Sequence, residues 1–146
     1  MTKLELLEQQ AYDQDICIYY YNISCFKACI IKLNNEVGIF IDDATTSLER
    51  PFLLGHELSH FYTSSYIELG KSYNKRIETK AHNYYCTHFI NLENIIDLIK
   101  LELEPWQIAE AMDLCEDELN TIFDYIKRKN LLKLKKSPLR EIERKY

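Results

Sequence analysis

Leu4, Leu7 and Ala11 recur three and four positions apart among polar residues, a spacing that predicts an amphipathic helix over about residues 2 to 13. The period then changes. Ile16 to Tyr21, Cys25 to Leu33 and Val37 to Asp42 are runs of β-branched and aromatic residues, and Asn34-Asn35 between the last two reads as a hairpin turn. A small, mainly antiparallel three-stranded sheet is expected. Both faces of the Val37 to Asp42 run are apolar, so one face is expected to pack on the helix that follows.

Helical spacing returns with Phe52, Leu53, Leu54, Leu58 and Phe61, after a Thr46/Glu49 pair that resembles a capping box. Pro51 lacks a backbone N–H, so the regular helix starts either at that box or near Arg50, and either start leaves residues 52 to 62 helical. Thr63 to Asn74, with Ser64, Ser65, Gly70 and Ser72, reads as a loop long enough to border a cleft. Ile77, Ala81, Tyr84, Tyr85 and Phe89 predict another helix. Three more are expected, at Leu92 to Leu101, at Trp106 to Met112 after Pro105, and at Glu116 to Lys129. The fold class is therefore α+β with a C-terminal helical region. No internal repeat or low-complexity linker interrupts it.

Composition narrows the setting. A hydrophobic share of 47% with three glycines and three prolines in 146 residues suits one compact core with few turns. Met1-Thr2-Lys3-Leu4-Glu5 lacks the basic-then-apolar order of a signal peptide, and no apolar run approaches the roughly 20 residues of a spanning helix, so a soluble, cytoplasmic protein away from the membrane is expected. Five cysteines, an odd number without a C-x-x-C pair, fit reduced thiols. Cys25 and Cys29 could ligate metal together, but in a strand-like run they read better as small buried side chains. Residues 127–146 carry a net charge of +7 and the remainder −12. Such a basic tail can meet nucleic acid, an acidic partner or its own acidic body, or can simply be solvated.

The densest chemistry lies in His56-Glu57-Leu58-Ser59-His60. On a helix, positions i and i+4 share a face one turn apart, so both imidazoles can reach one ion with Glu57 beside them. Zinc held by two neutral imidazoles needs a third protein ligand and an open position. Downstream candidates are Glu68, Glu78, His82 and His88, and Glu78 is the best of them. It lies on a predicted helix, with seventeen residues between it and His60, enough for a loop to turn that helix back. His82, one turn further on, could support a ligand or replace Glu78 as one. Glu68 falls on the loop and would be held less firmly; His88 reads as structural. Thr63 and Tyr66 stand where a three-histidine zinc protease has its glycine and third histidine, which leaves the glutamate-ligand class. Two core histidines around a chance glutamate are the plainer alternative, but burying all three on an apolar helix without a cation is costly.

These residue types imply hydrolysis. Zinc lowers the pKa of the water it holds toward about 7, Glu57 takes the proton, and the same carboxyl later protonates the leaving amine. A sheet edge could hold the substrate as an added strand. Tyr62, Tyr66 and Tyr73 are candidates to support the oxyanion, by position alone.

Taken in order, the helix-plus-hairpin beginning, the Gly55-His56-Glu57-Leu58-Ser59-His60-Phe61 segment and the later Glu78-Thr79-Lys80-Ala81-His82-Asn83-Tyr84 segment resemble the ImmA/IrrE metallopeptidases of bacteria and their mobile elements. The resemblance spans about residues 1–128. Glu78 and Ala81 match the family's second motif, whereas His82 stands where the family carries a small polar residue. It implies a zincin-type core over residues 1–101, with Zn2+ held by His56, His60 and Glu78 and with Glu57 catalytic. It also implies a partner, a phage-type helix-turn-helix repressor that such proteins cleave or otherwise relieve. A non-proteolytic anti-repressor or toxin-like binder of such a repressor is the alternative.

Residues 102–129 resemble a helix-turn-helix themselves, from Ile108-Ala109 through Leu114 to Leu119. Glu116, Asp117 and Glu118 open its second helix and would oppose phosphates, so protein docking or plain packing is favoured over DNA contact. The basic tail, residues 130–146, keeps direct nucleic-acid binding as a lesser reading.

Overall fold

Thr2 opens the first helix, α1 (Lys3–Asp13), by a reciprocal cap: its hydroxyl accepts from the Glu5 N–H while the Glu5 carboxylate accepts from the Thr2 N–H. In the computed structural model, which describes residues 1–65 and 74–132, three strands follow: β1 (Ile16–Tyr21), β2 (Ala28–Leu33) and β3 (Glu36–Asp42). Helices α2 (Arg50–Tyr62), α3 (Lys75–His88), α4 (Leu92–Lys100), α5 (Pro105–Met112) and α6 (Glu116–Arg128) complete the described elements. No helix among the described residues is long and apolar enough to cross a membrane. Glu68, Tyr66 and Tyr73 lie outside the described residues, as does the part of the basic tail after residue 132.

The chain is α+β, but its sheet is mixed rather than mainly antiparallel. The strand order is β1-β3-β2, with β1 parallel and β2 antiparallel to β3. Burial explains the order. β3 is apolar on both faces, with Ile39 and Ile41 fully buried on one and Phe40 stacked against Tyr19 on the other, so it takes the centre. The tyrosine-rich β1 alternates exposed positions with buried or half-buried ones and takes an edge. Asn34 and Asn35, both at positive φ (50° and 65°), close the expected β2–β3 hairpin.

The chain must therefore pass the end of β3 between β1 and β2. Residues 22–27 make that crossing, which is why β2 begins at Ala28 rather than Cys25. The Asp42 carboxylate anchors it by accepting from the Ile23 and Ala44 N–H groups. Cys29 is buried as expected, whereas Cys25 sits on the crossing and is exposed.

Glu49 sets the entry to α2. It exchanges hydrogen bonds with Thr46 and forms an ion pair with Lys27. The regular helix then starts at Arg50, with Pro51 in its first turn, where a missing N–H costs nothing.

The described residues fall into two compact units, one from Met1 to Tyr85 and one from Cys86 onward. In the first, α1 and α2 pack together, α1 against β1 and α2 against β2 and β3. Leu7, Ala11, Ile16, Ile30, Ile39, Ile41, Leu54 and Leu58 fill the core. Gly55 carries one decisive approach: a Cβ there would lie 2.6 Å from Cε2 of the fully buried Tyr85. Its bare backbone lets α3 lie against α2. In the second unit, Ile95, Ile99, Ile108, Leu119, Ile122 and Ile126 build the core of α4, α5 and α6. Asp113, at φ 54°, turns the chain from α5 into α6.

Candidate metal centre

α2 places His56 and His60 one turn apart, and α3 brings a carboxylate to meet them. The His60 Nε2 lies 3.2 Å from the His56 Nε2 and 3.1 Å from the Glu78 Oε1. The His56 Nε2 lies 3.3 Å from the Glu78 Oε2. His60 is fully buried, and the Glu78 side chain is 31% exposed. Glu78 shares the α3 face of Ala81 and Tyr85, so the approach that Gly55 permits also delivers Glu78.

Lone pairs on these two nitrogens and two carboxylate oxygens repel unless a proton or a cation sits among them. Four ligands at 2.0–2.1 Å around a tetrahedral ion are separated by about 3.3–3.4 Å. The contact between the two imidazoles, at 3.2 Å, and that of His60 with the Glu78 Oε1, at 3.1 Å, come close to that edge, while His56 meets the other carboxylate oxygen at 3.3 Å. Two imidazoles and one carboxylate suit a transition metal, since calcium and magnesium sites are built from oxygens. Among the described residues, His56, His60 and Glu78 form the group able to hold an ion.

Charge at the site follows the same geometry. Burial opposes the charged form of Glu78, but its hydrogen bonds with His56 and His60 outweigh that and hold its pKa well below the usual carboxylate range. Burial likewise opposes a charged His56, yet the Glu78 hydrogen bond and the charges of Glu57 and Glu78 raise its pKa. The His56 Nδ1 is buried without a hydrogen-bond partner among the described residues. Glu57 is 3% exposed. Burial, with the Glu57 charge added, pushes the Cys29 thiol on β2 up to about 11, which keeps it protonated and inert near neutral pH.

No family model, curated protein or solved structure matches this chain. What the centre can do is carried by its own atoms.

The other candidates divide clearly. His82 sits one turn beyond Glu78, its Nε2 3.5 Å from the Glu78 Oε2 and its ring centroid 5.0 Å from that of His56. It borders the centre rather than joining the group of ligating atoms. His88 is exposed and shares a hydrogen bond with Thr87. The Tyr62 hydroxyl accepts from Gln10 of α1, and its ring stacks on Tyr84, contacts that brace α2. In the second unit, Glu118 is 1% exposed, so the opening of α6 presents two exposed carboxylates rather than three.

Ser65 is a site residue that the sequence pattern did not single out. Its hydroxyl lies 3.0 Å from the His60 Nδ1 and 2.6 Å from the Thr63 Oγ1. A polar residue just past a helix signals only a cap, and nothing in its spacing points to a ring five residues back.

Proposed function

We propose that this chain is a zinc-dependent endopeptidase, with His56, His60 and Glu78 as ligands and Glu57 as general base. The observation that carries the reading is the convergence of two imidazoles and a carboxylate from two helices, with ligand atoms that all lie within 4.8 Å of one another. Zinc bound there would lower the pKa of a bound water and polarise a carbonyl. Glu57, adjacent to His56 on α2 and nearly buried, would accept a proton during attack and return it to the leaving amine.

The sheet supports a peptide as substrate. The Lys27 carbonyl accepts from the Asp42 N–H, so in the antiparallel pattern Cys29 and Ile31 also bond to β3. The intervening Ala28, Ile30 and Lys32 turn their backbone groups outward, along an edge with no further strand among the described residues. An extended segment could add there.

The partner rests on the resemblance to ImmA/IrrE metallopeptidases: a helix-turn-helix repressor, cleaved in the cytoplasm to relieve repression. The purified protein should contain about one zinc per chain. Mixed with a helix-turn-helix repressor encoded beside its gene, it should yield fragments rather than a lasting complex. Glu57→Gln should keep the zinc and lose cleavage, and His56→Ala should lose both. If Glu57→Gln relieves repression as well as the parent does, the protein acts by stoichiometric binding and the hydrolytic reading falls.

A further inference from the structure

α2 ends in a motif that folds the chain back on its own ligand. The Ser65 N–H donates to the His60 carbonyl at 2.9 Å and the Ser64 N–H to the Phe61 carbonyl at 3.1 Å, with Ser64 left-handed at φ 52°. Glycine usually fills that left-handed position. Here it is a serine, and the reversal carries the next side chain, Ser65, to the ring of His60, where it is buried at 6% exposure.

The hydrogens along this path can be counted. The Thr63 Oγ1 lies 2.8 Å from the Ser59 carbonyl, which cannot donate, so the Thr63 hydrogen occupies that contact. The Thr63 Oγ1 is then an acceptor toward the Ser65 Oγ at 2.6 Å, and the Ser65 hydrogen occupies that contact. The Ser65 Oγ has no hydrogen left for the His60 Nδ1 at 3.0 Å, so the ring must donate. The His60 carbonyl, a competing acceptor for both hydroxyls, is more distant at 3.4 and 3.5 Å. With one hydrogen fixed on Nδ1, the hydrogen that His60 shares with Glu78 sits on Nε2, and a metal ion that displaces it meets a neutral ring whose lone pair is on Nε2, the atom facing His56 and Glu78.

We propose that Thr63 and Ser65 are positioning residues that lock His60 in the Nδ1–H form and so present its Nε2 lone pair to a metal ion. This rests on the metal reading above and adds an asymmetry to it. His60 is oriented before the ion arrives, whereas His56, its buried Nδ1 without a partner among the described residues, is oriented by the ion.

The test uses the full chain, zinc alone as probe and two readouts: zinc affinity by competition with a chromophoric chelator, and ring-nitrogen NMR shifts of His60 in the metal-free protein. Ser65→Ala keeps the backbone hydrogen bond of the helix end and removes only the hydroxyl. It should weaken zinc binding by about 10- to 100-fold and release His60 from the Nδ1–H form. Ser65→Thr should restore both readouts. Thr63→Val, which removes the acceptor for the Ser65 hydrogen, should shift the tautomer in the same direction and provides the test if Ser65→Ala does not fold. Zinc bound equally by the parent and both variants, with an unchanged tautomer, overturns the relay alone. A parent that takes up no zinc overturns the metal reading itself.

Discussion

At the start of α6, Glu116, Asp117 and Glu118 follow one another on a single element, whereas around α2 the ionisable groups come from two helices and point at each other. The first cluster is explained by its own helix: carboxylates at an N-terminus meet unpaired N–H groups and the positive end of the dipole. The second has no such local account. His56, His60 and Glu78 bring lone pairs to within 3.3 Å of one another, and shared hydrogens or a cation between them make that arrangement favourable. A run of charge along one element is satisfied locally, but convergence across elements makes a place where a cation can replace shared hydrogens.

The largest expected effect separates the two clusters by zinc. At a free zinc concentration a thousand-fold above Kd, binding should stabilise the parent by about 4 kcal/mol. Thermal unfolding with and without zinc should show that gain in the parent and none in His60→Ala or Glu78→Ala. Glu116→Gln should retain all of it. A zinc response lost in Glu116→Gln but kept in Glu78→Ala would reverse the comparison.

Gly55→Ala comes next. In an ordinary helix interior this change is worth about 1 kcal/mol in favour of alanine. Here the new methyl would meet the Tyr85 ring, which is fully buried and has little room to move. A loss of about 1–3 kcal/mol is expected instead, with weaker zinc binding because Glu78 rides on the same helix. Chemical denaturation measures the first part and chelator competition the second; a stabilised variant would show that α3 does not depend on this approach.

A smaller effect concerns pH. The pKa of His56 is raised above its ordinary 6.5, so its contribution to metal-free stability is complete below that value and fades as pH rises through the raised one. The pKa of Glu78 is lowered from 4.5, so its contribution is present above that value and fades as pH falls through the lowered one. Both are in force between 4.5 and 6.5, and the metal-free protein should melt higher at about pH 5.5 than at about pH 8. Zinc competes with protons for the same nitrogen atoms, so the zinc-induced shift should grow over the same interval. A zinc-induced shift that shrinks as pH rises would argue against ligation by these imidazoles.

The smallest effect lies on α6. Glu116→Gln and Asp117→Asn should each cost about 0.3–1 kcal/mol at low salt and leave zinc affinity unchanged. Melting at two salt concentrations tests this, since a cost that persists at high salt would point away from the dipole.

Much of the element order was legible because hydrophobic period is local. The six-residue run Ile16–Tyr21 is a strand as read, and the helices begin within a few residues of their capping and proline signals. Strand order was not legible. Ile16–Tyr21 and Val37–Asp42 carry no mark of running parallel; that follows from β3 taking the doubly apolar centre, which sends residues 22–27 across its end. At the centre, the two histidines were readable because i and i+4 always share a helix face. Ser65 and the spatial reason for Gly55 were not, because each acts on a ring that only the folded chain brings near.

The sequence by itself determined which side chains could act: two imidazoles one turn apart, a carboxylate beside them and a candidate third ligand on a later helix. Those follow from helical periodicity and chemical type, which need no tertiary contact. Only the tertiary structure decided that Glu78, rather than His82 or His88, joins the two histidines. It did so by packing: a glycine on α2 admits a buried tyrosine on α3, and that contact sets where the carboxylate two turns earlier must lie.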